Sequence, residues 1–212
     1  MRSDPPILAV FASGRGGNFQ ALAEAAQRGA LGGTIGVLLC DQPGAPVIER
    51  AAQFGIEALT PPVGRFRSRI ENEGGWLAAL RDRGVQAVLL AGFMRRLHAT
   101  LLDPFRDRML NIHPSLLPAF PGLDAIGQAF RHGARVTGCT VHLVDEALDA
   151  GPILDQQAVP ILDDDTLESL EGRIHEVEHT LYPRTVHRWL TQPWRREGRR
   201  IVWEPSLVKG TR

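Results

Sequence analysis

The feature that most constrains the fold is an apolar run, Ile7–Ala12, that ends directly in the glycine-rich segment Ser-Gly-Arg-Gly-Gly-Asn at residues 13–18. A run without polar alternation is typical of a strand covered on both faces, as in a parallel sheet. A helical spacing of apolar residues begins at Phe19. The order of strand, tight turn and helix therefore predicts an α/β fold.

The same alternation continues along the chain. Strands are predicted at residues 34–39, 57–60 and 86–91, and helices at 45–54, 66–81 (interrupted at Gly74 and Gly75) and 123–132. Strands at 136–144 and 153–161 are expected to pair antiparallel, and a helix follows at 165–190, where Asp165-Thr-Leu-Glu168 is a candidate N-terminal cap. We expect residues 1–190 to form a single domain and residues 191–212 a C-terminal surface tail containing a strand.

Composition limits the partners of the chain. Its 212 residues contain 24 Lys plus Arg and 24 Asp plus Glu, so it lacks the overall basic charge of a protein that binds nucleic acid or an anionic membrane. The sequence has no apolar run of about 20 residues and no signal-peptide pattern, which predicts a cytoplasmic protein with small-molecule partners. Cys40 and Cys139 lie in apolar runs and are interpreted as small buried hydrophobes. A monomer and a homodimer both remain open.

The glycine-rich segment has two interpretations. Glycines let backbone N–H groups approach an anion, and the start of a helix favours negative charge, so the segment is a candidate phosphate site. It is equally compatible with a plain strand-to-helix connection. It is not a dinucleotide fingerprint, because Phe19 stands where that pattern requires a third glycine.

A second candidate site lies at residues 109–121, where a short apolar run delivers Asn111 and His113 and then meets Pro114 and two further prolines. Alternate residues of a strand share a face, so the amide and the imidazole lie side by side. Proline cannot donate to a sheet ladder, so the strand is expected to end at His113. Rigidly placed loop residues favour function over a simple strand end.

Three other polar groups need an interpretation. Asp149 precedes Ala-Gly-Pro, which predicts a tight turn that fixes its carboxylate. His142 lies inside a predicted strand and is interpreted as a structural, hydrogen-bonded histidine. His175 and His179 share a helix face beside Glu178, but the order of a zinc motif is absent, so no metal is predicted.

A pocket wall is predicted where the strand at 86–91 ends in Gly-Phe-Met-Arg-Arg-Leu, residues 92–97. Ligands of parallel sheets bind at this carboxyl edge, and the segment offers both apolar and cationic groups. Arg67 and Arg69 are either carboxylate partners or part of a solvated helix face.

Four motifs together resemble the phosphoribosylglycinamide formyltransferases. They are Ser13-Gly-x-Gly-Gly-Asn18, Ala91-Gly-Phe-Met94, Asn111-Ile-His-Pro-Ser-Leu-Leu-Pro118 and Leu148-Asp-Ala-Gly-Pro152, in order along residues 7–190. The resemblance implies a Rossmann-like, mostly parallel sheet with helices on both faces and a mixed or antiparallel C-terminal extension. It also implies transfer of a formyl group from 10-formyltetrahydrofolate, the co-substrate, to the amine of glycinamide ribonucleotide (5-phosphoribosylglycinamide) in purine biosynthesis.

The resemblance also implies roles for individual residues. Asn111, His113 and Asp149 match the catalytic trio of the family. The remaining matches are Gly16, Gly17 and Asn18 at the ribonucleotide phosphate, Glu178 near the substrate amine, and Arg69, Met94, Arg95, Arg96, Leu97 and Asn111 at the formyl-folate. This chain has Ile126-Gly127 where many relatives have a histidine.

The residue types fit the implied chemistry. Attack of an amine on a formyl carbon builds negative charge on the formyl oxygen, and donors placed there are commonly a large catalytic effect, about 3 to 4 kcal/mol for one donor. Asn111 and His113 are two such donors, and Asp149 favours the protonated imidazole. Ser115 lacks an evident base, so no covalent intermediate is expected.

Three alternatives remain. A formyltetrahydrofolate hydrolase shares the Asn-x-His and Asp site. Its relatives usually carry a domain before the first strand, whereas six residues precede Ile7 here. They also tend to have a second histidine at the position of Pro114. A formyltransferase acting on tRNA would need a sizeable basic domain after Leu190. A non-catalytic nucleotide-binding module would keep its ligand affinity but have no turnover to lose when His113 is changed.

Overall fold

A computed structural model describes residues 4–205 of the chain. Its strands are β1 (Ile7–Ala12), β2 (Thr34–Cys40), β3 (Glu57–Leu59), β4 (Ala87–Leu90), β5 (Met109–His113), β6 (Val136–Leu143), β7 (Ile153–Pro160), β8 (Trp194–Glu197) and β9 (Arg200–Trp203). Its helices are α1 (Gly17–Gln27), α2 (Pro46–Gln53), α3 (Glu73–Arg81), α4 (Ala99–Leu102), α5 (Ala125–His132) and α6 (Leu167–Thr191). None of the helices within residues 4–205 has the length and apolar character needed to cross a membrane.

The nine strands form one sheet in the order β3-β2-β1-β4-β5-β6-β7-β9-β8. Strands β1 to β5 pair in parallel. The direction reverses at β6, which lies antiparallel to β5 and, as the sequence predicts, to β7. The α/β class with an antiparallel C-terminal extension is therefore confirmed.

Helices cover both faces of the sheet, and β1 shows how its sequence permits this. Leu8 and Val10 point to the face packed by α1, α2 and α6. Ala9 and Phe11 point to the opposite face, against α3 and α4. Because every side chain of such a strand is buried, an uninterrupted apolar run is the composition the position requires.

The predicted helix at 66–81 is wrong in its first half. Helix α3 begins only at Glu73, after Asn72, whose Oδ1 accepts a hydrogen bond from the N–H of Gly74 over 3.0 Å. The two glycines therefore lie within the first turns of α3 and do not interrupt it. The preceding residues 66–72 form neither a helix nor a strand, and Arg69 forms an isolated parallel bridge with Arg96.

Two features near the C-terminus also differ from the prediction. The cap of α6 is Thr166, whose side chain accepts from the Ser169 N–H in a reciprocal capping box, whereas Asp165 forms an ion pair with Arg173. The segment after α6 forms two strands, β8 and β9, where one was predicted, and β9 joins the edge of the sheet at Ile153 of β7.

Candidate active site

Strand β5 delivers Asn111 and His113 to the carboxyl edge of the sheet. Asn111 lies opposite His142 of β6, and His113 lies opposite Thr140. After Pro114 the chain leaves the sheet, and the buried Ser115 hydroxyl donates to the Ala119 carbonyl over 2.6 Å. That bond occupies Ser115 within its own loop.

His113 is enclosed between two oxygen acceptors. Its Nδ1 lies 3.5 Å from Oδ2 of Asp149, and its Nε2 lies 2.9 Å from the carbonyl oxygen of Phe120. The side chains of His113 and Asp149 are 6% and 8% exposed. Since a carboxylate and a carbonyl only accept hydrogen bonds, each ring nitrogen faces a position suited to a donor. The structure thus brings the predicted pair together.

Asp149 is held by the turn between β6 and β7. Its backbone is left-handed, with φ of 51°, and its Oδ2 accepts a hydrogen bond from the Gly122 N–H over 2.8 Å. Two residues later, a Cβ at Gly151 would collide with the Leu143 carbonyl, so only glycine fits there. The carboxylate is therefore fixed both to the turn and to the loop after β5.

His142 is buried and hydrogen-bonded, as the sequence indicated, and it also contacts two of the predicted site residues. Its Nδ1 lies 2.8 Å from the Leu143 carbonyl and therefore carries the proton. Its Nε2 is then an acceptor, and it lies 3.1 Å from Nδ2 of Asn111 and 3.9 Å from Oδ1 of Asp149. Burial lowers the pKa of His142, which agrees with a neutral ring. Only the β5 to β6 register reveals this neighbour.

The glycine-rich loop is packed closely on two sides. Gly16 has a φ of 81°, and a Cβ on it would lie 2.6 Å from the Val47 side chain. A Cβ on Gly17 would lie 2.6 Å from Nε2 of His179. Helix α1 starts at Gly17 without an acidic residue in its first turn, so its N–H groups and dipole are available to an anion. An open pocket of about 570 Å³ lies beside the loop between α1 and α6, and both Glu24 and Arg50 line it.

Helix α6 connects this loop to the middle of the sheet through Glu178 and Tyr182. Its Oε2 accepts a hydrogen bond from Nδ2 of Asn18 over 3.0 Å. Burial raises the pKa of Glu178 to about 7, although the bond from Asn18 acts in the opposite direction. One turn further along α6, the Tyr182 hydroxyl lies 3.0 Å from the Leu90 carbonyl and 3.1 Å from that of Leu110, which fixes the register of α6 on β4 and β5.

The predicted wall at residues 92–97 lies next to the glycine-rich loop. Ser13 joins the two, because its N–H donates to the Gly92 carbonyl over 3.2 Å and its Oγ accepts from the Met94 N–H over 2.9 Å. Met94 is exposed, as are Arg69 and Arg96. The guanidinium of Arg95 instead points inward, and its side chain is 7% exposed.

The departure at Ile126-Gly127 has a structural counterpart. Ile126 is buried in a small apolar cluster between α5, β7 and α6. A Cβ at Gly127 would collide with the Asp124 carboxylate and with Arg131, which form an ion pair at 2.6 Å. A side chain at 127 would therefore require the ends of these two exposed side chains to move.

Groups that could support other chemistry are also placed. Within residues 4–205, no three or more His, Cys, Asp or Glu side chains are arranged to hold a metal ion. Both cysteines are buried and free, which confirms their interpretation as small hydrophobes, and burial raises the pKa of the Cys139 thiol to about 12.

The fold and the site define an α/β enzyme with a glycine-rich loop at the start of α1 and an Asn, His and Asp cluster at the carboxyl edge of its sheet. Residues 7–186 match the family model described as Formyl transferase, and the chain belongs to this family. The chain is 45% identical over 182 residues to the phosphoribosylglycinamide formyltransferase of Bacillus subtilis, covering 86% of this chain and 93% of that protein.

Solved structures of glycinamide ribonucleotide transformylases have the same fold as this chain. The crystal structure of glycinamide ribonucleotide transformylase 1 from Symbiobacterium toebii is similar with a TM-score of 0.87 and 41% identity over 92% of both chains. The corresponding enzyme from Geobacillus kaustophilus is 49% identical with a TM-score of 0.83, covering 87% of this chain and 98% of that one. A formyltetrahydrofolate deformylase from Pseudomonas syringae is 22% identical, which shows a shared fold alone.

Proposed function

We propose that this protein transfers the formyl group of 10-formyltetrahydrofolate to the amine of 5-phosphoribosylglycinamide, a step of purine biosynthesis, within a ternary complex. The observation that carries the proposal is the cluster at the carboxyl edge of the sheet, where Asn111 and His113 follow one face of β5 and Nδ1 of His113 lies 3.5 Å from the Asp149 carboxylate. The similarity to enzymes named for this reaction supports it.

The ribonucleotide is assigned to the loop at Gly16, Gly17 and Asn18. Its phosphate would lie at the start of α1, where free N–H groups and the helix dipole favour an anion. The hydrogen bond between Asn18 and Glu178 places a buried carboxylate next to that loop. Glu178 is thereby positioned to accept a hydrogen bond from the substrate amine.

The folate is assigned to the wall formed by residues 92–97 and by Arg69. The exposed Met94 offers apolar surface to a flat ring, and the exposed Arg69 and Arg96 offer charge to the glutamate end. Leu97 and Asn111 complete the assigned contacts, and backbone groups of Arg95 remain available although its guanidinium points inward.

Direct attack balances without a covalent enzyme intermediate. The amine nitrogen bonds to the formyl carbon and loses a proton, while the bond from that carbon to the folate nitrogen breaks as this nitrogen gains one. Asn111 and His113 stabilise the charge that develops on the formyl oxygen. For this, Nε2 of His113 exchanges the Phe120 carbonyl, its present partner, for the formyl oxygen.

A spectrophotometric assay of folate product, run with and without the ribonucleotide, tests the assignment. Transfer requires that product appears only when the ribonucleotide is present. Release of formate without ribonucleotide would instead identify a deformylase. A His113→Ala variant that binds both ligands but lacks turnover excludes a non-catalytic binding module.

A further inference from the structure

We infer that Asp41 is a positioning residue for the folate side of the cleft, acting through Arg95 on the backbone that carries Arg69. The inference deepens the proposed function and rests on it for the assignment of this wall to folate. Asp41 immediately follows β2, on the far side of β1 from β4 and the wall that follows it.

Asp41 forms a buried ion pair with Arg95. The side chain of Asp41 is 0% exposed, and its Oδ2 lies 2.6 Å from Nε of Arg95. The same oxygen accepts a hydrogen bond from Nε2 of Gln42 over 2.9 Å. Oδ1 of Asp41 has no hydrogen-bond partner among residues 4–205. The carboxylate therefore depends on Arg95 for most of its compensation.

Arg95 also contacts a third segment of the chain, residues 66–69. Its Nη1 donates to the Phe66 carbonyl and lies 3.3 Å from the Arg69 carbonyl. The neighbouring Arg96 N–H donates to the Ser68 carbonyl over 2.9 Å. Residues 60–72 contain no helix or strand of their own, so these bonds determine the path of the backbone at Arg69.

Both side chains of the Asp41–Arg95 ion pair are buried, so removing only one of them is destabilising. Removing one partner of a buried pair leaves the other charge uncompensated in a poorly hydrated site, whereas replacing both with apolar groups is often tolerated. With a neutral residue at 41, Arg95 is drawn toward solvent and away from the two carbonyl oxygens. Arg69 then loses its fixed position, although it is not itself changed.

An Asp41→Asn variant tests this. We expect the KM for the formyl-folate to rise about tenfold, as for loss of one charge-assisted contact, while kcat and the KM for the ribonucleotide stay within twofold. The matched control is Glu57→Gln, which breaks the ion pair of Glu57 with Arg83 at 2.6 Å on the neighbouring strand β3. The control should leave all three constants unchanged. An unchanged folate KM in Asp41→Asn, or an equal rise for both substrates, would overturn the inference.

A double variant separates positioning from folding. Asp41→Ala with Arg95→Met removes both charges, so we expect its melting temperature to recover to at least that of Asp41→Asn. Its folate KM should stay raised, because no donor reaches the Phe66 and Arg69 carbonyls. Recovery of the folate KM together with stability would show that Asp41 matters only for folding.

Hydrogen exchange gives a readout that does not require activity. In ligand-free Asp41→Asn, the amides of residues 66–72 should exchange faster than in the wild type, whereas those of β1 and β2 should not. Faster exchange at residues 66–72 would be seen even if the wild type lacked formyl transfer. A failure of the proposed function is therefore distinguishable from a failure of the inference about Asp41. Unchanged exchange at 66–72 would overturn the inference.

Discussion

The Asn111 side-chain amide donates a hydrogen bond to Nε2 of His142 across the ladder between β5 and β6, over 3.1 Å. Because Nδ1 of the same ring donates to the Leu143 carbonyl, Nε2 can only accept. The contact therefore decides which way the Asn111 amide faces. One N–H of Asn111 is used by His142, and in the proposed reaction the other donates to the formyl oxygen.

Replacing His142 should consequently impair the chemical step more than binding. We expect His142→Ala to lower kcat about tenfold, the worth of one neutral hydrogen bond, with both KM values within about twofold. Steady-state kinetics checks the split, and calorimetric binding of each ligand provides the control. A raised KM at constant kcat would mean that His142 shapes a binding surface instead.

Asn18→Asp should weaken the ribonucleotide much more than the folate. The new carboxylate would lie against the substrate phosphate and also against Glu178, which now accepts from Nδ2 of Asn18. Asn18→Ala, which removes the hydrogen bond without adding charge, should be the milder change. Titration calorimetry with each ligand measures both effects. Equal weakening of the two ligands would indicate a folding defect and would remove the phosphate from this loop.

Arg69→Ala should raise the KM for the formyl-folate by roughly tenfold or more, since a charge-assisted hydrogen bond is worth about 1.5 to 3 kcal/mol. The KM for the ribonucleotide should stay nearly constant. Arg67→Ala is the matched control, because Arg67 is also exposed in the same loop. If the two variants behaved alike in a steady-state assay, Arg69 would be only part of a solvated surface.

Sequence patterns were sufficient for elements whose burial is uniform along the element. The apolar run at Ile7–Ala12 and the strand β6 are found as predicted, because burial on two faces leaves a direct record in residue type. The helix predicted from residue 66 failed because residues 66–72 are organised by contacts with Arg95 and Arg96, which are distant in sequence.

The same limit applies to the site. The shared face of Asn111 and His113 is predictable, because the two residues lie two positions apart on a strand. The turn at Asp149 is also predictable from Ala-Gly-Pro behind it, but the hydrogen bond that its carboxylate accepts from the Gly122 N–H is not. His142 is buried and hydrogen-bonded, as the sequence indicated, but its contact with Asn111 could not be predicted because it depends on which residue His142 faces across the ladder. The inward path of Arg95 depends on Asp41, 54 residues away in the chain.

The buried position of Glu178 should make the stability of the protein depend on pH. Burial raises its pKa to about 7, above the ordinary 4.5, so the folded protein holds a proton that the unfolded chain releases. The stabilisation is complete below about pH 4.5 and is lost as pH rises toward 7, up to about 3 kcal/mol. Glu178→Gln removes this loss, so urea unfolding should show the variant more stable than wild type at pH 8 but not at pH 4.5. A difference in unfolding free energy between Glu178→Gln and wild type that does not change with pH would contradict this prediction.

His113 and Asp149 should act as one unit, because the carboxylate lies 3.5 Å from Nδ1 of the ring whose Nε2 is to serve the formyl oxygen. Removing one oxyanion donor costs on the order of 100-fold to 1,000-fold in kcat, so His113→Ala should fall in that range. Asp149→Asn keeps an oxygen that can accept from the Gly122 N–H and thus preserves the turn, yet it removes the charge beside the imidazole. If both changes disable the same donor, the double variant should be little worse than His113→Ala alone, as for residues that share one role. Turnover of both single variants and the double variant decides this. Losses that multiply would mean that Asp149 acts independently of His113, through the turn it shares with Gly151.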